Sequence, residues 1–473
     1  MITSDSVLDI FKQITRVPRE SGHEEPMTRW LQEWAAGHGL PCKTDKTGNV
    51  LISRPAAPGK EQVPTLVLQA HQDMVCEKRA GVVHDFARDP VRYEIEDGWM
   101  VAKDTTLGAD DGIGIAACLA LLADSTPTGA LECLFTISEE TGMDGAFALE
   151  NGFFSGRTLI NLDSEDEGQL FIGCAGGLNT NIKFSYTTEN LPERFSYRKL
   201  SISGGIGGHS GDDINKGRAN TVQLLSRFLY ACLPSGLRLV SLCGGGKPNA
   251  IARECEAVVA VPDPAALEYA FGQFLADILA EYHRTDPDLQ GGVTPCAAAP
   301  AVEDGLARRV IGALFACPHG VAAMSQDIDA LVQTSTNLAS VRMDGREIEI
   351  VTSQRSAAAS ERRAMAAKVR AVFELAGATV RHLYEYPGWN PDIHSPVLAR
   401  SVEAYRRLFG QEPEVKAIHA GLECGLFLEK FPGLDMISFG PTLRGVHAPG
   451  EKLELASLDK FVRLLEDLVV HFA

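Results

Sequence analysis

Acidic and imidazole side chains recur in short clusters along almost the whole chain, in types that suit metal-dependent hydrolysis. The clusters are His71-Gln72-Asp73, Asp110-Asp111, Glu139-Glu140, Asp163 and His447. The first four each follow an apolar or β-rich run. Because the ends of sheet strands gather ligand and catalytic groups in α/β proteins, the clusters together predict a site that binds two metal ions.

His71 and Asp73 stand two positions apart in TLVLQAHQDMV. Side chains at positions i and i+2 of a strand share a face, so these two should project together. A metal-binding imidazole commonly donates its second N–H to a carboxylate, which fixes its tautomer. We expect His71 to bind metal and Asp73 to orient it; the alternative is a strand-end histidine satisfied by water.

Asp110 and Asp111 stand at the start of a predicted helix in TLGADDGIGIAACLALL. Aspartate is favoured as an N-cap, and the helix dipole stabilises its charge, so one of the two can serve as the cap. A carboxylate can also bridge two metal ions through its two oxygens. The residues alone leave the division of these roles open.

Glu139 and Glu140 follow the apolar run LECLFTIS, and adjacent strand-end carboxylates face opposite ways. One can bind metal while its neighbour reaches the water on that metal. Without cations the two would repel and one would take up a proton; a dication removes this penalty and lowers the pKa of a bound water towards about 7. The alternative for the two glutamates is a solvated acidic loop.

Asp163 ends an apolar strand, and the alternative there is an acidic surface. His447 lies in a Gly- and Pro-bounded loop, where functional residues are common.

The middle of the chain carries two further candidate residues. His209 lies in the glycine-rich stretch 204–211, which lacks the lysine and spacing of a phosphate- or dinucleotide-binding loop. A histidine on such a loop suits a donor to a developing oxyanion. Arg355, after a predicted strand, has the fork geometry for a substrate carboxylate, although spacing alone favours a surface arginine.

Composition narrows the class of protein. With 44 basic and 62 acidic residues the net charge is −18, which argues against nucleic acid or an anionic membrane as a partner. The amino-terminal stretch lacks a secretory pattern, and no run approaches the roughly 18 apolar residues of a membrane span. Eleven scattered cysteines without a C-x-x-C pair are typical of a reducing compartment, so we expect a cytoplasmic protein whose metal ligands are His, Asp and Glu.

The predicted elements define an α/β protein with an insertion. Residues 6–39 favour two helices broken at Pro18, and strand–helix–strand alternation follows, with strands at Val50–Ser53, Thr65–Ala70, Leu131–Ser138 and Thr158–Leu162 and a helix at Gly112–Ala123. This alternation predicts a mixed, mostly parallel sheet sandwiched by helices in residues 1–176 and 387–473. Hairpins alternating with helices predict a two-layer α+β domain in 177–386, whose elements recur twice, as in a duplicated half-domain.

The ordered set of motifs resembles the co-catalytic zinc peptidases, the family that includes carboxypeptidase G, the tripeptidases and the aminoacylases. The matching stretches lie between residues 18 and 453 and are PRESGHEE, HQDMV, GADDGIG, Glu139-Glu140 with TGMDGA, NLDSEDEG, GGHSGDDINKGRAN, GGGKPNAIARE, SQRS, HAGLECG and GVHAPGEKL. The likeness therefore covers nearly the whole chain, and the resemblance implies a zinc-peptidase catalytic domain interrupted by an inserted lid domain.

The resemblance also implies roles for individual residues. Two zinc ions, with cobalt or manganese as substitutes, would be bridged by Asp110 and one water. One ion would also be held by His71 and Asp163, and the other by Glu140 and His447. Further roles would fall to the general base Glu139, to Asp73 as the clamp on His71, and to the substrate-binding lid residues His209, Asn249 and Arg355.

The implied activity is hydrolysis of dipeptides with a free carboxylate, including Xaa-His dipeptides such as β-Ala-His. One alternative is a deacylase or carboxypeptidase that acts on N-acyl amino acids by the same chemistry. Another is a non-catalytic metal-binding module, which would have no use for Glu139. The expected partners are small dipeptides, neither nucleic acid nor membrane. The large inserted domain predicts either a homodimer through the lid or a lid that stands in for a dimer partner.

Overall fold

The computed structural model describes residues 1–472. Its α-helices are α1 (Ser4–Ile14), α2 (Glu25–Gly37), α3 (Ala109–Ala123), α4 (Glu139–Gly142), α5 (Asp144–Ala148), α6 (Thr221–Cys232), α7 (Pro264–Glu281), α8 (Asp304–Ala316), α9 (Ala359–Leu375), α10 (Pro396–Phe409), α11 (Glu423–Lys430) and α12 (Leu455–Val470).

Its strands are β1 (Cys42–Thr44), β2 (Val50–Arg54), β3 (Leu66–His71), β4 (Tyr93–Glu96), β5 (Trp99–Ala102), β6 (Leu131–Thr136), β7 (Thr158–Asn161), β8 (Gln169–Cys174), β9 (Gly176–Ser185), β10 (Thr188–Glu189), β11 (Ser196–Ser203), β12 (Arg238–Gly245), β13 (Cys255–Val261), β14 (Gln290–Pro295), β15 (Ala301–Val302), β16 (Gly320–Met324), β17 (Val332–Met343), β18 (Glu347–Ser356), β19 (Thr379–Tyr386), β20 (Glu414–Ile418), β21 (Asp435–Ser438), β22 (Leu443–Arg444) and β23 (Lys452–Glu454). Across residues 1–472, no helix is both long enough and apolar enough to cross a membrane.

The chain divides into two compact units. Unit 1 comprises Met1–Gly173, Pro391–Ala417 and the residues from Leu422 onward; unit 2 comprises Cys174–Asn390 and the short segment Ile418–Gly421. The breaks near residues 173 and 390 lie a few residues from the predicted boundaries. The short segment, by contrast, was not expected from the sequence.

Unit 1 is built on an eight-stranded sheet with the strand order β1-β2-β6-β3-β7-β21-β8-β20. The central strands β6, β3, β7 and β21 pair in parallel, whereas β1 with β2, β2 with β6 and β21 with β8 pair antiparallel. Strand β3 is buried at every position, as expected of a parallel strand at the centre of a sheet covered by helices. The predicted α/β class with a mixed sheet is confirmed, and the parallel pairing is confined to the centre.

Helix α3 packs against both α1 and β3 and is buried along nearly its whole length. Its sequence after the two aspartates consists of Ile, Ala, Cys, Leu and Gly with no polar face. A helix that is apolar all round must lie in the interior. The two acids at its start are therefore carried into the interior with it.

A second, four-stranded sheet of unit 1, in the order β22-β23-β5-β4, was not predicted. Strands β4 and β5 form a hairpin across Asp97 and Gly98, both with positive φ, which is the typical two-residue turn of an Asp-Gly pair. Strand β5 then pairs with β23. Because the loop between β22 and β23 carries His447, this small sheet positions the most distant of the predicted ligands.

Unit 2 is a nine-stranded sheet, ordered β14-β11-β13-β12-β17-β18-β9-β19 with β16 beside β17, and helices α6 to α9 share one apolar core with it. One half contains β11-α6-β12-β13-α7-β14. The other contains β9, followed later in the chain by α8-β17-β18-α9-β19. The strand order within the two halves is the same, and they join where β12 pairs with β17. The α+β class is confirmed, and its twofold recurrence fits the expected repetition.

Candidate active site

Five side chains from distant parts of unit 1 meet in one cluster. They are His71 at the end of β3, Asp110 in the first turn of α3, Glu140 in α4, Asp163 after β7, and His447. His71 Nε2 lies 3.0 Å from Asp110 Oδ1 and 3.4 Å from Asp163 Oδ1. His447 Nε2 lies 3.1 Å from Asp110 Oδ2 and 2.8 Å from the Glu140 carboxylate. Asp110 therefore turns one oxygen towards each histidine.

These side chains form two possible ligand groups. One is His71, Asp110 and Asp163, the other is Asp110, Glu140 and His447, and within each group the ligand atoms lie within 4.8 Å of one another. A third combination at this distance is His71, Glu139 and Glu140. The first two groups share Asp110, whose two oxygens suit a bridge. Imidazole nitrogen and carboxylate oxygen are donors that zinc, cobalt and manganese all accept.

The cluster carries more carboxylate than its two histidines can neutralise. Burial, reinforced by neighbouring carboxylates, raises the pKa of both Glu139 and Asp163 well above the ordinary range. Hydrogen bonds to Asp110 and Glu140 raise the pKa of His447 to about 11. Divalent cations would favour the opposite pattern, ionised carboxylates and neutral imidazoles. The donor chemistry and charge of the cluster therefore fit two divalent cations.

The segment that carries Glu139 and Glu140 differs from the prediction. Strand β6 ends at Thr136, Ser138 adopts a left-handed φ of 52°, and the two acids begin the short helix α4. The expectation that they lie on a strand end is therefore wrong. The turn is held by Glu24, whose Oε1 accepts hydrogen bonds from Ser138 N and Oγ, each at 3.0 Å. Such a contact across 114 residues leaves no local signal in the sequence.

Asp73 lies just beyond β3, so the i, i+2 strand argument does not apply to it. Its carboxylate accepts hydrogen bonds from the backbone N–H groups of Glu139 (3.0 Å) and Glu140 (3.2 Å) and from Ser21 Oγ (2.8 Å). Asp73 Oδ1 lies 3.4 Å from His71 Nδ1, and the Asp73 backbone oxygen lies nearer, at 3.1 Å. One carboxylate thus connects the turn of the two glutamates to the neighbourhood of His71.

Asp111 takes the capping position predicted for one member of its pair. Its Oδ1 accepts a hydrogen bond from Gly114 N at 3.1 Å, and its Oδ2 accepts one from His71 N at 3.3 Å. The peptide bond between Asp110 and Asp111 is cis. Burial raises the pKa of the Asp111 carboxyl well above its usual range. Asp110 is thereby left as the acid that faces both histidines.

Two buried charged residues that were not predicted from the sequence support the turn before α3. Glu451 accepts hydrogen bonds from three successive backbone N–H groups of residues 107–109, at 2.8 to 3.0 Å. Arg19 donates to the backbone oxygens of Asp73 (2.9 Å) and Gly108. Both stand in stretches that carry the family resemblance, but a charged residue in a loop is usually exposed, so their burial could not be predicted.

A row of buried polar side chains crosses the central strands of the same sheet. Glu423 Oε2 accepts hydrogen bonds from Gln69 on β3 (2.7 Å) and Thr136 on β6 (2.8 Å), and Gln69 in turn accepts one from Asn161 on β7 (2.6 Å). Burial raises the pKa of Glu423 to about 7. Its Oε1 finds no partner among residues 1–472. Glu423 was not predicted to be part of the site, because in the sequence it resembles any helix-terminal glutamate.

In unit 2, His209 and Arg355 lie side by side. His209 Nδ1 is 3.0 Å from Asp212 Oδ2, and His209 Nε2 is 3.3 Å from Arg355 Nη2. Arg355 Nη1 donates to the Tyr386 hydroxyl oxygen at 3.3 Å. Arg355 is only 7% exposed, and within residues 1–472 its Nε has no hydrogen-bond partner and no carboxylate forms an ion pair with it. The nearby Asp212, whose pKa is lowered by its contact with His209 and by the charge of Arg355, is 55% exposed and contacts His209 instead. A buried cation with no carboxylate at ion-pair distance is costly, which marks Arg355 as a binding group for an anion.

Asn249 lies in an exposed loop beside the one that carries His209. Ser210 N donates to Asn249 O at 2.8 Å, and Asn337 Nδ2 donates to Ala250 O at 2.8 Å. The Asn249 side chain makes no hydrogen bond within the described part of the chain. It is therefore available to a ligand.

His419 is a further residue of unit 2 that was not singled out. Its Nε2 lies 2.7 Å from Ser335 Oγ. Burial, helped by the charge of Arg355, lowers the pKa of His419 to about 4, so the ring is neutral. It lies in the HAGLECG stretch, whose histidine and glutamate belong to different units.

Comparisons with known proteins place the chain in a family. The sequence profile described as peptidase family M20/M25/M40 matches residues 67–471, and the chain belongs to this family. It is similar to the cytosol non-specific dipeptidase of Escherichia coli strain K12, with 39% identity over 468 residues that cover 98% of this chain and 96% of that protein.

Solved structures agree with this assignment. The crystal structure of aminoacylhistidine dipeptidase from Vibrio alginolyticus has a TM-score of 0.92 and 39% identity, covering 98% of this chain and 96% of that one. Aminopeptidase PepT from Bacillus cereus ATCC 10987 shares the fold, with a TM-score of 0.58 and 16% identity over 100% of this chain and 99% of that one. The expected resemblance to this peptidase family is confirmed, the dipeptidase names of these relatives match the activity that the resemblance implies, and the chain is a hydrolase that acts on peptide bonds.

Proposed function

We propose that this chain is a metal-dependent dipeptidase that hydrolyses the peptide bond of dipeptides with a free carboxylate, Xaa-His dipeptides among them. The observation that carries the proposal is the pair of ligand groups that share Asp110, with the additional acid Glu139 beside them. The names of the Escherichia coli and Vibrio relatives, a non-specific dipeptidase and an aminoacylhistidine dipeptidase, support the substrate class.

One divalent cation would be held by His71, Asp110 and Asp163, and a second by Asp110, Glu140 and His447. We expect zinc at both positions, with cobalt or manganese as substitutes because all three accept these donors. When bound, such cations lower the pKa of a coordinated water towards about 7 and polarise the scissile carbonyl.

Glu139 is the general base in this proposal, since neither cation needs it as a ligand. It accepts a proton from the attacking water and passes it to the leaving amine nitrogen. Its backbone N–H is held by Asp73 at 3.0 Å, which supports a fixed position for the carboxylate. Asp73 also lies at the Nδ1 side of His71, where a carboxylate favours the tautomer that presents Nε2 to a cation.

Unit 2 supplies the groups that recognise the substrate. Arg355 binds the terminal carboxylate of the dipeptide, a role supported by its burial without a carboxylate at ion-pair distance. His209 donates to the oxyanion of the tetrahedral intermediate through Nε2, once Arg355 has exchanged its contact with this nitrogen for the substrate carboxylate, and the contact of Nδ1 with Asp212 supports a fixed ring orientation. Asn249 contacts the substrate through a side chain that makes no other hydrogen bond within residues 1–472.

In this proposal residues 1–176 and 387–473 form the catalytic metallopeptidase domain and residues 177–386 form the lid. The protein acts on small dipeptides in the cytoplasm, as the name of the Escherichia coli relative suggests. We expect a homodimer through the lid, with a lid that replaces the partner as the alternative. Light scattering on the purified chain distinguishes a dimer from a monomer.

A metal-depletion and add-back assay tests the function. The chelated chain should be inactive on Gly-His and β-Ala-His, and zinc, cobalt or manganese should restore turnover. N-acetyl amino acids and folates, assayed in parallel, should be poor substrates. Turnover without metal would refute the proposal, and faster cleavage of the N-acyl amino acids would replace it with a deacylase.

A further inference from the structure

Strand β19 does not pair regularly to its end. Its register with β9 shifts between Leu383 and Tyr386, and Tyr384 within this stretch has a left-handed φ of 55°. The Tyr384 side chain is 80% exposed, whereas Tyr386 is partly buried. Irregularities of this kind change the direction of the side chains that follow. Here the irregularity places the Tyr386 ring among residues of unit 2.

Two glycines make room for this ring. Gly177 is paired with Tyr386 across the two strands, and a Cβ at Gly177 would lie 2.6 Å from the ring atom Cζ. A Cβ at Gly421 would lie 3.0 Å from Cε2 of the same ring. Any larger residue at Gly177 would collide with the ring. The local sequence therefore maintains the Tyr386 hydroxyl at one position.

At that position the hydroxyl meets Arg355. The Arg355 Nη1 atom lies 3.3 Å from the hydroxyl oxygen, and a guanidinium can only donate, so the tyrosine oxygen is the acceptor. The hydroxyl hydrogen is then still available. Among residues 1–472 no acceptor for it is found. A free O–H donor thus stands next to a buried cation that has no carboxylate at ion-pair distance.

We propose that Tyr386 is a specificity-determining residue that donates its hydroxyl hydrogen to the terminal carboxylate of the substrate, beside Arg355. The inference rests on the proposed function, because a dipeptide with a free carboxylate is the ligand. Arg355 supplies charge and Tyr386 supplies a second, neutral donor. Two donors of fixed position favour a carboxylate over a neutral group at this end of the substrate.

The substitution Tyr386→Phe tests the proposal with Gly-His as the substrate and the metal-loaded chain. Loss of one hydrogen bond to a charged group should raise KM about tenfold, with kcat within about twofold of the wild type. Phenylalanine keeps the ring in its place between the two glycines, so the thermal midpoint should not change. Tyr384→Phe, an exposed tyrosine two positions away, is the matched control and should leave KM unaltered.

The same substitution in an Arg355→Ala background separates direct donation from positioning of the arginine. Direct donation predicts that Tyr386→Phe raises KM further in this background. An increase seen only when Arg355 is present, or in neither background, would overturn the proposal. Wild-type inactivity on every dipeptide would refute the proposed function itself, whereas an active wild type with unchanged KM in Tyr386→Phe would refute only the role of Tyr386.

Discussion

The two candidate clusters are electrostatically incomplete in opposite senses. The cluster of unit 1 gathers Asp110, Glu140 and Asp163 around two imidazoles and has an excess of negative charge. The cluster of unit 2 contains Arg355, a buried cation that has no carboxylate at ion-pair distance among residues 1–472, since the nearby Asp212 is 55% exposed and contacts His209. The first cluster therefore needs bound cations to balance its charge, and the second needs a bound anion. This difference in the charge of the protein groups alone predicts a cation site in unit 1 and an anion site in unit 2.

The supports of the two clusters also differ. Buried charged groups such as Glu451 and Arg19 fix the backbone around the unit 1 ligands through several hydrogen bonds each. His209 follows two glycines with positive φ, Gly207 and Gly208, and its backbone N–H donates to Asp213 Oδ2 at 2.8 Å. Hydrogen bonds thus fix the backbone in both clusters, but the supporting charged groups of unit 1 are buried, whereas Asp213 is 16% exposed.

Removal of the acid that has no ligand role should have the largest effect. We expect Glu139→Ala to lower kcat by about 10²–10⁴-fold while both metals stay bound, because proton transfer is lost and the ligand groups are intact. Kinetics on Gly-His and metal analysis of the same sample provide the check. Its neighbour serves as control: Glu140→Ala should lose metal as well as activity. A fully active Glu139→Ala enzyme would remove this residue from the mechanism.

Removal of the buried positive charge of Arg355 in unit 2 should weaken substrate binding. Arg355→Ala should raise KM for free dipeptides about 30- to 100-fold, the equivalent of about 2–3 kcal/mol for charge-assisted hydrogen bonds, and should leave the metal content unchanged. Dipeptide amides should be affected far less. Equal effects on acid and amide substrates would show that Arg355 does not recognise a carboxylate.

Loosening the support of the unit 1 ligands should weaken metal binding. Glu451→Gln replaces a carboxylate that accepts three backbone N–H groups with an amide that accepts fewer. We expect metal affinity to fall about 10- to 100-fold, as measured by competition with a chelator. Glu454→Gln, three residues later on β23, is a control that should behave like the wild type. Unaltered affinity in Glu451→Gln would mean that the turn holds its shape without this acid.

The smallest effect concerns His419 and pH. Its folded-state pKa of about 4 lies below the ordinary value of 6.5, so as pH falls the unfolded chain takes up a proton before the folded one does. The stabilisation that the neutral His419 ring contributes to the unfolding free energy is fully present above pH 6.5 and is lost as pH falls towards 4. Between pH 7 and pH 5 the wild type should therefore lose about 2 kcal/mol more unfolding free energy than His419→Gln, measured by denaturant titration. Parallel losses in the two proteins would contradict the buried, neutral histidine.

The sequence predicted the fold class, and it predicted the residues that meet in unit 1 because four of the clusters follow apolar or β-rich runs and the family resemblance adds His447, which lies in a loop of the small sheet that was not predicted. The wrong and missing parts have a common cause. Ser138 and Glu24, and likewise Glu451 and residues 107–109, interact across more than 100 positions. No local sequence pattern predicts contacts between residues so far apart in the chain.

Unit 2 was harder to predict for a different reason. Tyr386 reaches Arg355 only because β19 departs from regular pairing. The sequence around this tyrosine does not indicate that irregularity. His419 returns to unit 2 in a four-residue segment between two stretches of unit 1. Secondary-structure propensity and hydrophobic periodicity predict regular helices and strands, so they do not predict a site that is built from irregular segments.

Metal content measured by elemental analysis after dialysis tests most directly whether two cations share Asp110. We predict two equivalents per chain in the wild type and a loss of both in Asp110→Ala. A single equivalent in the active wild type, or two in the Asp110→Ala variant, would contradict the shared site.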